Sequence, residues 1–233
     1  GILYISGEFN TDEVYSNISK NWSDIGSVIS KKKAQFYKVK LKNKTDYTTL
    51  HSNHVSTAEM GTRFSNLTYE EHLILLAYTQ WTAQEISNEV RDKYGDTYTV
   101  SSINEIFKKW GYIGVTFELS DSNYNFHHNF AKNKYISRAQ NSNFSDAEIN
   151  KIKNYFVGQF PSGDFGISSV EDQLRATHYF YDTYGEETKP LKKILEISSS
   201  EFNNVLKNKF KSDKLYFYSE KITSKTFLEK NFN

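Results

Sequence analysis

The chain has 233 residues, of which 37% are hydrophobic and 16% aromatic, so it can build a sizeable core in one large domain or two small ones. Its 29 basic and 28 acidic side chains nearly cancel, and a net charge of +1 gives no long-range attraction to nucleic acid or to a membrane surface. The absence of cysteine excludes disulfide frameworks, thiolate zinc sites and thiol nucleophiles. No apolar run approaches the ~18 residues of a membrane-spanning helix, and no secretory signal is present, so we expect a soluble protein.

The two ends of the chain repeat one pattern. The opening segment predicts a strand over residues 2–6 and a helix from Asn10 to about Trp22. Near the C-terminus, "LYFYSEKITSKT" has the same order of strand, polar turn and helix, and it aligns without a gap to "LYISGEFNTDEV". The match predicts an internal duplication, with residues 1–30 as the end of a preceding repeat and residues 35–233 as the next domain. We therefore expect the chain to begin inside a longer protein.

The segments between these ends alternate between strand and helix periodicity. Helix starts are marked by capping-box spacing at Thr68, Ser145 and Ser198, each followed three residues later by Glu. Gly95 is placed to end the helix that begins after Thr68. The order of elements predicts an α+β fold in which helices cover a mainly antiparallel sheet. Strands are predicted over residues 30–43, 54–65, 96–107 and 111–119 and near the C-terminus, and helices over 68–95, 122–140, 145–159, 168–184, 190–197 and 198–210.

One helix start comes close to a zinc motif. The inverted zincin sequence H-x-x-E-H places two histidines on one helical face with a glutamate as base. This chain instead has "TYEEH" over residues 68–72, with Thr68 in the place of the first histidine. Thr68 and Glu71 are explained as an N-cap pair, and Glu148, a possible downstream ligand, is explained by its own capping box. One imidazole, that of His72, does not replace two, so we expect no metal site in this chain.

The remaining candidate motifs give no catalytic centre. His51 and His54 lie three apart in a polar stretch, and His127 and His128 are adjacent with diverging side chains, so neither pair has a third ligand at local spacing. The sequence also lacks a G-x-S-x-G elbow, a P-loop and a dinucleotide-binding fingerprint. Any enzymatic activity therefore requires residues from outside this chain.

Arg91 and Tyr98 stand seven positions apart in "VRDKYGDTYTVSS" and allow two interpretations. Arg91 is predicted in the last turn of a helix, where a cation is favoured, and Tyr98 in the strand that follows Gly95, so both can serve the fold alone. Alternatively, a guanidinium at a helix end and a phenol on the adjoining strand can converge as two donors on one peptide carbonyl or oxyanion.

The same segment resembles a known family. "VRDKYGDTYTVSS" is similar to the L-R-E-K-x-G-L-x-Y-x-V-x-S segment of the pitrilysin and insulysin-type zinc metallopeptidases, which include the mitochondrial processing peptidases. Arg91, Lys93, Gly95 and Tyr98 match the pattern, and Asp96 departs from it. The opening "ILYISGEFNTDEV" also resembles the strand and helix that close the first domain of that family, so the resemblance covers nearly the whole chain.

The resemblance implies a role beside a second domain. Such enzymes pair two similar α+β domains across a closed chamber, one with H-x-x-E-H and its zinc, the other without the motif but with the arginine and tyrosine. This chain has the second pattern, which implies that zinc is held by a partner half, upstream in the same polypeptide or in another subunit. It further implies that Arg91 and Tyr98 bind the backbone of a peptide substrate, and that Tyr98 stabilises the tetrahedral intermediate.

Three functions remain open from the sequence. The first is the substrate-binding, non-zinc half of a metalloendopeptidase that hydrolyses peptides in a closed chamber. The second is a structural or assembly subunit of the same fold, similar to the core proteins of respiratory complexes, in which Arg91 and Tyr98 are inherited but idle. The third is a peptide-binding module with no enzyme attached. None of the three predicts a nucleic-acid or membrane partner.

Overall fold

A computed structural model gives the fold, and it describes most but not all of the chain. The predicted strand over residues 2–6, apart from Ile5, the predicted strand over 30–43 and the predicted helix over 168–184 lie outside the described residues. The predicted boundary between residues 30 and 35 also lies outside them and stays a prediction. The described residues are 5, 8–23, 46–51, 56–95, 97, 99–107, 110–119, 123–159 and 190–222.

Five strands form one mixed, mainly antiparallel sheet in the order β1-β5-β2-β4-β3. β1 pairs parallel to β5, and the other neighbours are antiparallel. The strands predicted from period-two alternation are present as β2 to β5, whereas β1 was not predicted, because "DYTTLH" contains few large apolar residues. The strands are β1 (Asp46–His51), β2 (Ser56–Ser65), β3 (Val100–Phe107), β4 (Trp110–Leu119) and β5 (Leu215–Ile222).

Six of the described α-helices have seven or more residues, and four of these six begin at a predicted cap. Thr68 and Ser145 each form a complete capping box with the glutamate three residues later. Asn10 and Ser198 accept N-cap hydrogen bonds from the backbone of the first turn. None of the described helices is long and apolar enough to cross a membrane. The helices are α1 (Thr11–Trp22), α2 (Tyr69–Ser87), α3 (Tyr124–Lys132), α4 (Asp146–Gly158), α5 (Pro190–Glu196) and α6 (Ser199–Lys209), with π turns after α2 (Asn88–Lys93) and α3 (Asn133–Ser137).

The core lies between one face of the sheet and the helices, with α2 at its centre. The α+β architecture predicted from the order of elements is confirmed by this arrangement. Tyr78 of α2 stacks on Tyr135 with ring centroids 5.5 Å apart, and both rings are fully buried. The Tyr78 hydroxyl donates to the Tyr135 carbonyl at 2.7 Å, and the Tyr135 hydroxyl bonds Thr79 Oγ1 at 2.8 Å. These buried polar atoms therefore have the partners that burial requires.

The opposite face of the sheet has a tyrosine packed over paired glycines. Gly61 of β2 and Gly114 of β4 are register partners, and Tyr216 of β5 pairs with Gly61 on its other side. A Cβ added to Gly114 would lie 2.5 Å from the Tyr216 Oη, and one added to Gly61 would lie 2.8 Å from the Tyr216 Cε1. The added Cβ would come closer still to a backbone carbonyl oxygen, that of Met60 at Gly114 and that of Ile113 at Gly61. Since real Cβ atoms do not approach so closely, both the neighbouring strand and the ring require glycine at these positions.

Gly114→Ala tests this packing against Gly158→Ala, a control at the end of α4 where an added Cβ meets no atom within 4 Å. We expect Gly114→Ala to lower the free energy of unfolding by about 1–3 kcal/mol through overpacking. Gly158→Ala should leave it unchanged or raise it by up to ~1 kcal/mol through helix propensity. Urea denaturation of both variants measures the difference, and equal values would contradict the proposed contact with Tyr216.

Candidate functional site

Arg91 lies at a helix end that is fixed by its neighbours. It belongs to the π turn Asn88–Lys93, which continues α2, and the preceding Val90 is fully buried. Gly95 has a φ of +71°, and its N–H donates to the Arg91 carbonyl at 2.8 Å. A glycine in the left-handed region is the common way to end a helix, and this confirms the predicted C-cap. The backbone at Arg91 is therefore held on both sides.

The Arg91 guanidinium is exposed and makes no hydrogen bond or ion pair within the part of the chain that the structure describes. Arg138 shows the contrast, because it donates to Glu148 at 3.0 Å and lies 4.9 Å from the Trp81 ring centroid. A guanidinium carries five N–H donors, and no described residue occupies those of Arg91, which leaves them for a ligand that can accept hydrogen bonds. As far as the structure describes the chain, the helix end positions the cation without using it in the fold.

Tyr98, the second predicted site residue, lies outside the described residues. Its neighbours Thr97 and Thr99 are described, and the Thr97 hydroxyl donates to the Thr99 carbonyl at 3.0 Å. Thr97 is buried and Thr99 is exposed. The convergence of Arg91 with Tyr98 therefore stays a prediction from the sequence.

The residues that replace H-x-x-E-H are engaged in the fold. The Glu71 carboxylate accepts from the Thr68 backbone at 3.1 Å and from Lys209 Nζ at 2.6 Å. His72 Nε2 lies 3.2 Å from Asn104 Oδ1 of β3. No group of three His, Cys, Asp or Glu side chains that could hold a metal occurs among the described residues. Glu71 would have to give up both its cap bond and its lysine to become a ligand or a base.

The adjacent histidines His127 and His128 make different contacts in the structure. His127 is buried against Phe126, with ring centroids 5.0 Å apart, while His128 stacks on Tyr124 at 5.5 Å. The side chains of His51 and His54 lie outside the described part of the chain. His127 and His128 are packing residues among aromatic rings.

A cavity of about 320 Å³, which sequence reasoning missed, opens beside β3. It is lined by three elements that lie far apart in the chain, so no local motif marks it. None of its lining side chains is charged, and three of them are glutamines, which suits a polar, neutral ligand. β3 is also the last strand of the described sheet, so its outer edge has no described strand beside it. The lining residues are Gln80, Ala83, Gln84, Val100, Ser101, Ser102, Tyr155 and Gln159.

The pKa of His72 yields a test of its half-buried environment. Desolvation lowers that pKa from 6.5 to about 4, against a smaller opposing effect of the Asn104 hydrogen bond. As pH falls below 6.5, His72 takes up a proton in the unfolded chain, whereas in the folded chain it does so only near pH 4. We expect wild-type protein to lose up to ~2 kcal/mol of unfolding free energy between pH 7 and pH 5 through this residue.

His72→Gln is the matched variant, because it keeps a polar side chain without a titrating group. The pH-dependent loss of unfolding free energy should be smaller in this variant than in the wild type by that amount. Chemical denaturation at pH 7 and pH 5 measures both values. Equal pH dependence in the two proteins would show that His72 titrates normally in the folded state.

Comparison with known proteins identifies the family. A family model described as the peptidase M16 inactive domain matches residues 2–156, more than half of the chain. No curated protein matches the chain.

Solved structures share the fold at low identity. A protease from Helicobacter pylori has a TM-score of 0.70 at 16% identity, over 92% of this chain and 53% of its own. The periplasmic protease PqqL from Escherichia coli has a TM-score of 0.68 at 14% identity, over 93% of this chain and 25% of its own. A chain of complex III2 from Candida albicans has a TM-score of 0.60 at 12% identity, over 76% of this chain and 45% of its own. The chain thus spans about half the length of the Helicobacter structure or a quarter of PqqL, and the resemblance drawn from its sequence is confirmed: it belongs to the peptidase M16 inactive-domain family.

Proposed function

We propose that this chain is the substrate-binding, non-catalytic half of a zinc metalloendopeptidase. The observation that supports this function best is the exposed Arg91 guanidinium, which stands without a described partner at a rigid helix end in an inactive M16 domain. Structural arginines at helix ends normally bond the last carbonyls or an acid nearby, as Arg138 bonds Glu148. A free guanidinium held in place suits a ligand that arrives from outside.

In this proposal Arg91 donates to a backbone carbonyl of the bound peptide near the scissile bond. Tyr98 donates to the oxyanion that forms at the scissile carbonyl, which stabilises the transition state more than the substrate. A zinc ion in the facing half supplies a Lewis acid and an activated water. The half described here contributes binding, orientation and charge stabilisation.

The edge of β3 supports a peptide as the ligand. An extended peptide can add to a free strand edge by backbone hydrogen bonds, and a pocket beside the strand then accepts a side chain. The 320 Å³ cavity lies at such an edge and is lined in part by Val100, Ser101 and Ser102 of β3. Backbone binding of this kind depends little on the sequence of the peptide.

The zinc-bearing half is the proposed partner, and α1 is its proposed contact. No residue of α1 is buried. Two aromatic side chains of this helix are exposed, Tyr15 at 73% and Trp22 at 49%, and Phe9 just before the helix is 43% exposed. Such a group of exposed aromatic side chains is costly in water and typical of a surface that another protein covers. The sequence predicts that residues 1–30 complete a preceding repeat, so the protein that covers α1 is proposed to be the neighbouring half.

A structural subunit is the second candidate, favoured by the similarity to a chain of the Candida complex III2. In that case the same α1 contact would serve assembly, and Arg91 would have no ligand. The two candidates differ in the effect of Arg91 on turnover, and they agree on the fold.

Arg91→Ala and Tyr98→Phe, in the enzyme assembled with its zinc-bearing half, test the main proposal. Tyr98→Phe removes one donor and keeps the ring, so kcat should fall by about 10²-fold. Arg91→Ala should raise KM and lower kcat, since it removes a ground-state contact as well. The melting temperature should stay within about 1 °C for Arg91→Ala, because the exposed side chain has no described partner in the fold.

Lys207→Ala is the control, because Lys207 is another exposed cation in the last turn of a helix. It should leave kcat and KM unchanged. Normal turnover by Tyr98→Phe and Arg91→Ala would favour the structural subunit over the peptidase half.

Tyr15→Ser and Trp22→Ser test the partner contact. With the two halves prepared as separate chains, each variant should weaken their association at least about tenfold, as expected for aromatic side chains at an interface. The melting temperature of the isolated chain should not change, because both side chains are exposed in it. Leu195→Ser, which alters an exposed apolar side chain on α5, should leave association intact. Calorimetric titration measures the Kd, and an unchanged Kd in both α1 variants would remove α1 from the interface.

A further inference from the structure

Two exposed aromatic rings form a pair close to Arg91 in the fold. Tyr94, three residues beyond Arg91, is 44% exposed, and Phe126 in the first turn of α3 is 58% exposed. Their ring centroids are 5.9 Å apart with the ring planes at 79°, an edge-to-face contact. The two residues are distant in the chain, so the fold creates this pair.

The aromatic pair is held in place by a buried ring and by a backbone hydrogen bond. The buried His127 ring lies beneath it, 5.4 Å from Tyr94 and 5.0 Å from Phe126. The Tyr94 N–H donates to the Arg91 carbonyl, so the Tyr94 backbone is tied to the same helix end. Rings that are already ordered lose little conformational freedom when a ligand covers them.

Lys93, the cation next to Tyr94 in the chain, already has a partner. Lys93 Nζ lies 5.1 Å from the Tyr94 ring centroid and forms an ion pair with Glu89 at 2.9 Å. A charged ligand would therefore find no free charge on Lys93 or Glu89. What the surface offers is apolar area, which favours an aliphatic or aromatic group.

We infer that Tyr94 and Phe126 form a subsite for one large apolar side chain of the peptide bound by Arg91. The inference rests on the proposed function and adds a substrate preference to it. A peptide residue next to the carbonyl held by Arg91 places its side chain within a few ångströms of that carbonyl, and Tyr94 is tied to the same turn. The apolar side chain then covers ring surface that water otherwise contacts.

The size of the patch separates this ligand from a second protein. A stable protein interface buries about 1,200–2,000 Å² in total, far more than two half-exposed rings provide. One Leu, Phe or Met side chain matches two rings. If the rings were covered by the zinc-bearing half instead, their truncation would weaken association of the halves rather than alter the choice of peptide.

Peptides that differ at a single position test the subsite in the assembled enzyme. A series with Leu, Phe, Ser or Asp placed in turn at each position around the scissile bond is compared by kcat/KM. At one position the wild type should prefer Leu and Phe over Ser and Asp by about tenfold or more. Tyr94→Ala and Phe126→Ala should each bring that ratio close to one, while kcat/KM for the Ser peptide changes little.

Two controls separate the subsite from general damage. Tyr94→Phe keeps the ring and should keep the preference, and Leu195→Ala, which removes an exposed apolar side chain on α5, should not alter it. A preference that survives in both alanine variants would overturn the inference, as would a wild-type enzyme without any apolar preference.

Failure of the subsite and failure of the proposed function give different results. Arg91→Ala should lower kcat/KM for every peptide by the same factor, so an inert Arg91→Ala contradicts the function itself. In an assembly without turnover, anisotropy of fluorescein-labelled Leu and Ser peptides gives the same comparison by affinity. Equal affinity of the wild type for the two peptides would again overturn the subsite.

Discussion

The burial of α2 is the constraint on which the rest of the structure depends. Ten of its 19 residues are buried, and they point to more than one side, toward the sheet and toward the surrounding helices. A helix buried on several sides cannot rotate or slide without breaking its packing, because protein interiors are close-packed. The Tyr78 and Tyr135 pair adds directional hydrogen bonds to that packing. Both ends of α2 are thus held at fixed positions relative to the sheet.

The two ends of α2 have different chemistry. At the start, where the H-x-x-E-H motif would need its first histidine, Thr68 caps the helix and Lys209 neutralises Glu71. The carboxylate that would act as base is therefore consumed by a cap and an ion pair that stabilise this half. At the other end, Arg91 leaves the same helix with its guanidinium unused among the described residues. One rigid element thus accounts, within the described part of the chain, both for the lack of a metal site and for a free cation in a defined place.

Local signals predicted the elements, and long-range contacts account for what was missed. The caps at Thr68 and Ser145 depend on residues three apart, so the sequence alone was enough to place the starts of α2 and α4. β1 was missed because its strand character depends on parallel pairing with β5, at the other end of the chain. The π turn Asn88–Lys93 and the cavity beside β3 were also missed, because no local sequence pattern marks them. Of the candidate site, Arg91 could be found because it lies within one short motif, whereas the pair of Tyr94 with Phe126 requires the fold.

The π turn explains why Lys93 and Tyr94 are exposed at the end of the helix. Ile86 and Val90 are fully buried four residues apart, and a regular helix would carry the buried stripe onward to Lys93 and Tyr94. Both of these residues are exposed instead. The wider turn over Asn88–Lys93 changes the helical phase, and Gly95 then ends the helix before the stripe can resume. A polar residue at position 94 would be the simplest choice for a solvated helix end, and this chain has an aromatic ring there, in contact with a second exposed ring. An apolar group that covers the two rings would offset the cost of leaving their surface in water, and this is the physical basis for the proposed ligand site at the end of α2.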